Sequence, residues 1–507
     1  MADWKERDII LGAAKGAALA SLFYAFHLAT PFWQEDYGFL SDAQGSASVG
    51  RTLLQEFIPA WKSTFWRPLS VNLYWRFVNA TVGYDPVFCH GLNLLVHFLA
   101  VACVGWFAAS VAGALAPGGE ARRAAFWGSL LYGTHSAFSL AVGWASGMPE
   151  LLNLLFCAVS LRGWVMLLCA NTRRGRMWGT VMCLGGLGVA LLCKEGAAVL
   201  PGLFGVVWWV IPGDGSDGRI GRRAGAGACW ATAGAMVAIW FLIRAQLVEP
   251  QTGDSVYAMR VGGNVFRNGA ALGLYALNVS REVLRNVSEG RWNGGMIAWG
   301  ALCAALQSVA LVLLALRVTT PVRKRLWLLA AFAIVACGPY FLLSWNSYSY
   351  YTLLGLFAYA LLVALAASTG TIRTIGALAI ASSALSVGVE CFLPYPAPMA
   401  RAHWANESLE TIMTSTRRLG LRSNADYLLI DIPDVSRLNA IGNKTGISIR
   451  FPMPLNHIIY PEETTTTLPA RTVMYGVQLN DEFKPVIREA AASSHFPASE
   501  NQGAGLP

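Results

Sequence analysis

In the stretch TPFWQEDYGFLSDAQGS (residues 30–46), Glu35 and Asp36 stand side by side directly after an apolar run, 9–29, long enough to cross a bilayer. Adjacent carboxylates repel one another and are costly to desolvate, so a pair placed there is either well solvated or in use. In use, a carboxylate at a membrane surface is a general base that takes the proton of an acceptor hydroxyl. The plainer alternative is a solvated loop start whose charges keep the helix end out of lipid. Spacing alone leaves both open.

Other polar groups cluster near the same kind of boundary. In PVFCHGLNLLVHFLA, His90, Asn93 and His97 are spaced i, i+3, i+7 and so share one helix face. A polar stripe near the start of a span faces protein or water rather than lipid. It either lines a site or is satisfied by neighbouring helices. Just before it, Arg67 and Arg76 in FWRPLSVNLYWRF either snorkel to head groups or hold a lipid phosphate, for which the guanidinium fork is suited. Lys194 and Glu195 interrupt two apolar runs in LLCKEGAAVLPGLF. They read as an interfacial pair, with the lysine placed to meet an anionic head group. Glu150, in the turn WASGMPELL, is the only other acid near the outer ends of the early spans.

The elements that must position these residues are membrane helices. Of 507 residues 55% are hydrophobic and only 13% charged, where a soluble domain carries about 25% charged residues. The formal charge of +9 lies in short clusters between apolar spans, where it orients helices rather than binding nucleic acid. Most of the ten cysteines, such as Cys103, Cys157 and Cys183, fall inside apolar runs with no CxxC pair, and there they act as small hydrophobes. The start, MADWKERDIILGAAKG, reads as a retained first helix rather than a signal peptide.

Spans are expected near 9–29, 86–116, 124–142, 150–170, 177–194, 196–212, 225–247, 296–316, 326–344, 351–368 and 374–392, about eleven. With a cytoplasmic N-terminus, the clusters Arg122/Arg123, Arg173/Arg174/Arg176, Arg219/Arg222/Arg223, Arg317/Arg323/Lys324/Arg325 and Arg373 all fall on the cytoplasmic side. The segment 264–285 is expected as an amphipathic helix on the outer surface. The reading is a polytopic α-helical membrane domain, 1–393, with external loops 30–85 and 248–295. A small external α+β domain, 394–507, follows it, with DYLLIDIPD and ISIRFPM as strands. Five N-x-S/T sequons (Asn79, Asn278, Asn286, Asn406, Asn443) fall on the external side.

Four motifs in order and spacing, WRPLS, FCHGLNLLVHFLA, THSAFSLAVGWASGMPELL and LLCKEGAAVLP, carry a resemblance over about residues 20–370. They resemble the membrane-embedded glycosyltransferases of the GT-C fold. The branch they most resemble is the protein O-mannosyltransferase-like one, which includes the transmembrane and tetratricopeptide-repeat mannosyltransferases and bacterial relatives. The resemblance implies transfer of a sugar from a polyprenyl-phosphate donor to an acceptor protein or glycan at the external face, with inversion. It implies a bilayer-embedded enzyme in a bacterial inner membrane facing the periplasm, or in the endoplasmic reticulum of a eukaryote. It puts Glu35 and Asp36 where the family shows two aspartates, the catalytic base being one of them. Arg67, Lys194 and His90 become candidates for the donor phosphate, and His97, Asn93, His135, Glu150 and Glu195 line the site. A divalent cation, Mg or Mn, is compatible with this chemistry, and no spacing demands one.

The sequence also departs from that pattern. His135 and Trp144 match, but Phe138 and Leu140 replace a second His and a Glu. Met148 and Pro149 precede Glu150 where a basic residue is usual, and Ser347, in SWNSYSYYTLLG, replaces an arginine. The tetratricopeptide repeats are absent. The rival readings are a polymerase or ligase of lipid-linked oligosaccharides, which leaves the early acidic pair unexplained, and a catalytically inactive scaffold of the same fold. A transporter would show mid-membrane charges and repeated halves, and neither is present.

Overall fold

The computed structural model describes residues 6–48, 52–58, 65–116, 118–211, 219–250, 257–344, 348–394, 397–422, 426–451, 453–461 and 474–490. The chain opens with α1 (Glu6–Phe23), α2 (Glu35–Ser48), α3 (Tyr74–Thr81) and α4 (Pro86–Leu115). Then come α5 (Ala121–Gly133), α6 (Phe138–Gly143), α7 (Met148–Cys169), α8 (Arg173–Cys193), α9 (Leu200–Val210) and α10 (Arg219–Leu247). The next are α11 (Gly263–Ala276), α12 (Arg281–Ser288), α13 (Gly294–Arg317), α14 (Thr320–Arg323), α15 (Leu326–Phe341), α16 (Phe357–Thr369) and α17 (Arg373–Phe392). Last are α18 (Pro398–Arg418), β1 (Tyr427–Asp431), α19 (Val435–Ala440), α20 (Asn443–Arg450), β2 (Ile458–Ile459), β3 (Met474–Leu479) and β4 (Pro485–Ala490).

Every segment expected to span is mainly helical among the described residues, with 124–142 divided between α5 and α6. Among the described residues, six helices, 86–115, 145–169, 173–193, 225–247, 294–317 and 373–392, are long and apolar enough to cross a membrane by length and composition. The apolar helices 195–210, 326–341 and 357–369 are shorter, so about eleven is a tally of apolar segments, not an established number of crossings. The helix starts are written locally. Asp85 accepts from Phe88 N at 3.0 Å with Pro86 next to it, and Thr172 accepts from Gly175 N at 3.0 Å. Such caps satisfy amides that the helix itself cannot.

The chain folds as two units, one of residues 1–30 and 42–400, the other of 31–41 and 401–507. In the first, small residues bring helices into close contact, as membrane helix packing favours. A Cβ on Gly12 of α1 would lie 2.2 Å from the Arg122 carbonyl oxygen of α5. On Gly163 of α7 it would lie 2.4 Å from the Cys183 nitrogen of α8. The second unit holds a four-stranded sheet of order β2-β1-β3-β4, parallel at β1–β2 and β1–β3 and antiparallel at β3–β4. Leu429, Ile459 and Met474 form an apolar cluster on it.

Three expectations are corrected. Residues 447–450 of ISIRFPM end α20 instead of forming a strand, because burial of Ile447 overrides β-branched propensity. The segment 264–285 is two helices, α11 and α12, broken at Asn278, whose φ is +61°. Asn278 is also fully buried, so this sequon is no glycan acceptor in the folded chain. The second unit groups 401–507 with 31–41, and α18 starts at Pro398 just before residue 401.

Candidate functional site

In the first unit, the charges of the early loop and of the KE turn meet across long sequence separations. Arg67 is delivered by the extended residues before a π-helical turn, Pro68–Leu73. Its Nε and Nη2 donate to Oε2 and Oε1 of Glu195 at 3.0 and 2.5 Å, a two-pronged pair. The turn is pinned below it, where Ser70 Oγ donates to the Cys193 carbonyl at the end of α8. Burial works against the Arg67 charge, but the Glu195 carboxylate outweighs it and holds the guanidinium pKa above its ordinary value. Arg67 also lies 4.3 Å over the Phe65 ring.

Lys194 does not pair with its sequence neighbour. It extends to Glu150 Oε1, and both side chains are buried, at 3% and 11% exposure. Glu150 sits in the first turn of α7, where the helix dipole also favours a carboxylate. The reason the adjacent pair separates is geometric. Lys194 is extended (φ −163°, ψ 145°) between α8 and the turn that begins at Glu195, so the two side chains leave the backbone in different directions. Around the ammonium stand three tyrosine rings, Tyr351 at 5.0 Å, Tyr350 at 5.3 Å and Tyr340 at 6.0 Å. Tyr340 and Tyr351 stack at 4.2 Å. The close approach of Tyr340 needs Gly196, where a Cβ would lie 2.6 Å from the tyrosine oxygen.

The tyrosine run continues. Tyr350 stacks on Tyr348 at 4.9 Å, and Arg281 lies 4.5 Å over the Tyr348 ring. Behind it Glu282, 1% exposed, takes Arg285 at 2.7 Å. From sequence, SWNSYSYYTLLG stands out only for Ser347 in place of an arginine, and neither its tyrosines nor Arg281 is assigned to the site. The available signal was the aromatic density of SYSYY in a turn between apolar helices. Arg76, the other early-loop arginine, pairs with Glu56 at 2.9 Å. The expectation on Ser347 lies outside the described residues.

The histidines and Asn93 take up a different task. His90 Nδ1 lies 3.2 Å from the Val142 carbonyl, and Asn93 Nδ2 donates to the Trp144 carbonyl at 2.7 Å. His97 is held between Ser21 Oγ at 2.9 Å and the Gly133 carbonyl at 3.1 Å. All three are fully buried and fasten the 133–144 connection onto α4. His135 Nδ1 accepts from Ala137 N at 3.3 Å, so Nε2 is the nitrogen that donates to the Ala276 carbonyl, at 3.2 Å. Phe138, standing where the resemblance expected a histidine, is buried against Tyr132 and His97 at 5.2 and 4.6 Å.

In the second unit, Glu35 and Asp36 begin α2 and differ in setting. Glu35 is exposed, whereas Asp36 is fully buried and its Oδ2 accepts from Trp33 N at 3.1 Å. Gln34 takes a positive φ of 53° and donates from its backbone N to the Ala440 carbonyl at 3.0 Å. Tyr37, fully buried, donates to the Phe32 carbonyl at 3.0 Å and packs on Gly442. Arg401 lies 5.7 Å over the Trp33 ring. The acidic pair is therefore built into the same unit as the C-terminal sheet. Among the described residues, no three His, Cys, Asp or Glu side chains converge into a metal-binding group.

Neither a protein-family model nor a curated protein sequence matches the chain. Solved structures do, two of them of one protein. The crystal structure of ArnT from Cupriavidus metallidurans bound to undecaprenyl phosphate aligns over 95% of this chain and 98% of that one, with a TM-score of 0.54 and 14% identity. The apo structure of the same protein aligns over the same shares with a TM-score of 0.52 and 14% identity. This chain therefore has the many-helix GT-C fold of that membrane protein along almost its whole length.

Proposed function

We propose that this chain is a membrane glycosyltransferase that moves a sugar from a polyprenyl-phosphate donor to a protein or glycan acceptor at the external face. The observation that carries the reading is the polar assembly in the first unit, Arg67–Glu195 and Lys194–Glu150 under a run of tyrosines. It occurs in a fold shared with a structure that holds undecaprenyl phosphate. Displacing a phosphate from an anomeric carbon builds negative charge on the leaving oxygen. Arg67 retains Nη1 beyond its two bonds to Glu195, and Lys194 retains ammonium hydrogens beyond its bond to Glu150. Those donors stabilise the departing phosphate, and the tyrosine faces bound the space beside it. His90 is the weaker phosphate candidate, since its Nδ1 already faces the Val142 carbonyl.

Glu35 takes the acceptor hydroxyl proton as the acceptor oxygen bonds to the anomeric carbon and the carbon–phosphate-oxygen bond breaks. The polyprenyl phosphate leaves, and the sugar inverts. Exposure of Glu35 supports it as base, while the hydrogen bond to Trp33 N supports Asp36 as the residue that shapes the turn. The external face is the periplasm if the host is bacterial. The test is transfer of labelled sugar from a synthetic polyprenyl-phosphate donor by the purified protein. General-base catalysis contributes about 10²–10⁴-fold, so Glu35→Gln should lose about that much turnover with donor affinity kept. Asp36→Asn should lose less, and near-normal turnover in both would remove the catalytic role of the pair.

A further inference from the structure

The first unit holds a cavity of about 320 Å³ between the start of α1, the ends of α4 and α7, and the start of α8. The charged residues that line it are Arg162 on α7 and Glu6 on α1. Glu150 and Arg162 are both on α7, and at 1.5 Å per residue they lie about 18 Å apart along it. The cavity is thus distinct from the Lys194 assembly.

Arg162 is 9% exposed at its side chain. Its Nη2 donates to Glu6 Oε1 at 2.9 Å, and its guanidinium lies 4.6 Å over the Trp106 ring. Trp106 Nε1 donates to the same Glu6 oxygen. Among the described residues Nε of Arg162 is buried with no acceptor. Glu6 is about half exposed, and its Oε2 has no partner among the described residues. A buried guanidinium with unspent donors is costly unless an acceptor arrives to meet them. The start of α8 borders the same cavity, with Thr172 as its cap, and contributes the positive end of a 21-residue helix.

Among the described residues, a guanidinium Nε–H without an acceptor and a carboxylate oxygen without a donor border one cavity, and they call for a ligand with a phosphate and an ammonium a few bonds apart. We propose that this cavity binds a phosphoethanolamine head group, its phosphate on Arg162 and the start of α8, its ammonium on Glu6. The flanking surface favours a lipid as the source. Ile10 and Leu11 on α1, and Met177 and Trp178 on α8, are exposed apolar side chains on the helices that frame the opening, where acyl chains would lie.

The test is native mass spectrometry of the full-length protein titrated with phosphatidylethanolamine, phosphatidylcholine and phosphatidylglycerol, with soluble O-phosphoethanolamine as competitor. Phosphatidylethanolamine should be retained about tenfold better than either other lipid, the worth of one charge-assisted hydrogen bond. Glu6→Gln, at a half-exposed position, should erase the preference over the methylated choline lipid. Arg162→Gln should weaken all three. Should Arg162→Gln fail to fold, the Glu6→Gln comparison and the lipid series decide alone. Displacement by the soluble competitor would show that the head group is sufficient; retention despite it would show that the acyl chains are needed, and both support the site. Equal retention of the three lipids, or a preference unchanged by Glu6→Gln, would overturn it.

Discussion

Arg67 binds Glu195 through two of its nitrogens, and this makes its role separable from that of a simple structural partner. If it serves the donor phosphate, Arg67→Gln removes a charge-assisted bond of about 1.5–3 kcal/mol and weakens donor binding about 10–150-fold. Glu195→Gln then leaves the guanidinium free for phosphate, and donor affinity should hold or rise. Titrating a fluorescent polyprenyl-phosphate analogue against both variants checks this. If both weaken binding alike, Arg67 is there to hold Glu195. Lys194 is less suited to such a test, because its loss strands Glu150, 9% exposed, at a cost of about 3–5 kcal/mol. None of these partners was legible from local sequence. The pairs join residues 128 and 44 positions apart, and adjacency in the chain suggested the wrong match of Lys194 with Glu195.

At the scale of elements, legibility tracked how local the cause is. Apolar length and caps such as Asp85 and Thr172 act within a few residues, and the expected helices formed where composition placed them. The break between α11 and α12 was invisible, because what fixes it is remote. Asn278 Oδ1 accepts from the backbone N and Oγ of Ser136 at 3.1 and 2.8 Å. Its Nδ2 lies 3.2 Å from each of Gln307 Oε1, Ser382 Oγ and Ser383 Oγ. One side chain thus ties the α11–α12 junction to the α5–α6 turn, α13 and α17. Asn278→Ala would leave buried partners unsatisfied, about 1–3 kcal/mol, and would put alanine in the left-handed region at about 1–2 kcal/mol. The expected outcome is a loss of about 2–5 kcal/mol of stability, seen as a lower thermal midpoint in detergent. A glycosylation-competent host should leave Asn278 unmodified even where exposed Asn443 carries a glycan.

For the whole molecule, the basic clusters predict that reporters fused after Arg325 and after residue 400 fall on opposite sides of the membrane. Two reporters on one side would refute the assigned topology. The larger consequence concerns the C-terminal residues. Because the resemblance ends near residue 370, it gives the tail no part in the site. The structure instead groups residues 31–41 with 401–507. Gln34 N rests on the Ala440 carbonyl at 3.0 Å, and Tyr37 packs on Gly442. Glu35 and Asp36 stand between those two anchors, so under the proposed function the chemistry should depend on the tail. Gly442 offers the sharpest probe. Its φ is +74°, and a Cβ there would lie 2.6 Å from the Tyr37 ring. Gly442→Ala therefore both strains the backbone and pushes on the residue that follows the acidic pair. Turnover should fall at least tenfold, since small misplacements of a catalytic group cost up to about 10²-fold. Donor affinity, which the proposed function assigns to the first unit, should stay within about twofold, the level at which independent sites add. Deleting 401–507 should abolish turnover and keep donor binding. A deletion variant that inserts, binds donor and still transfers sugar at the full rate would show that the acidic pair does not need this frame.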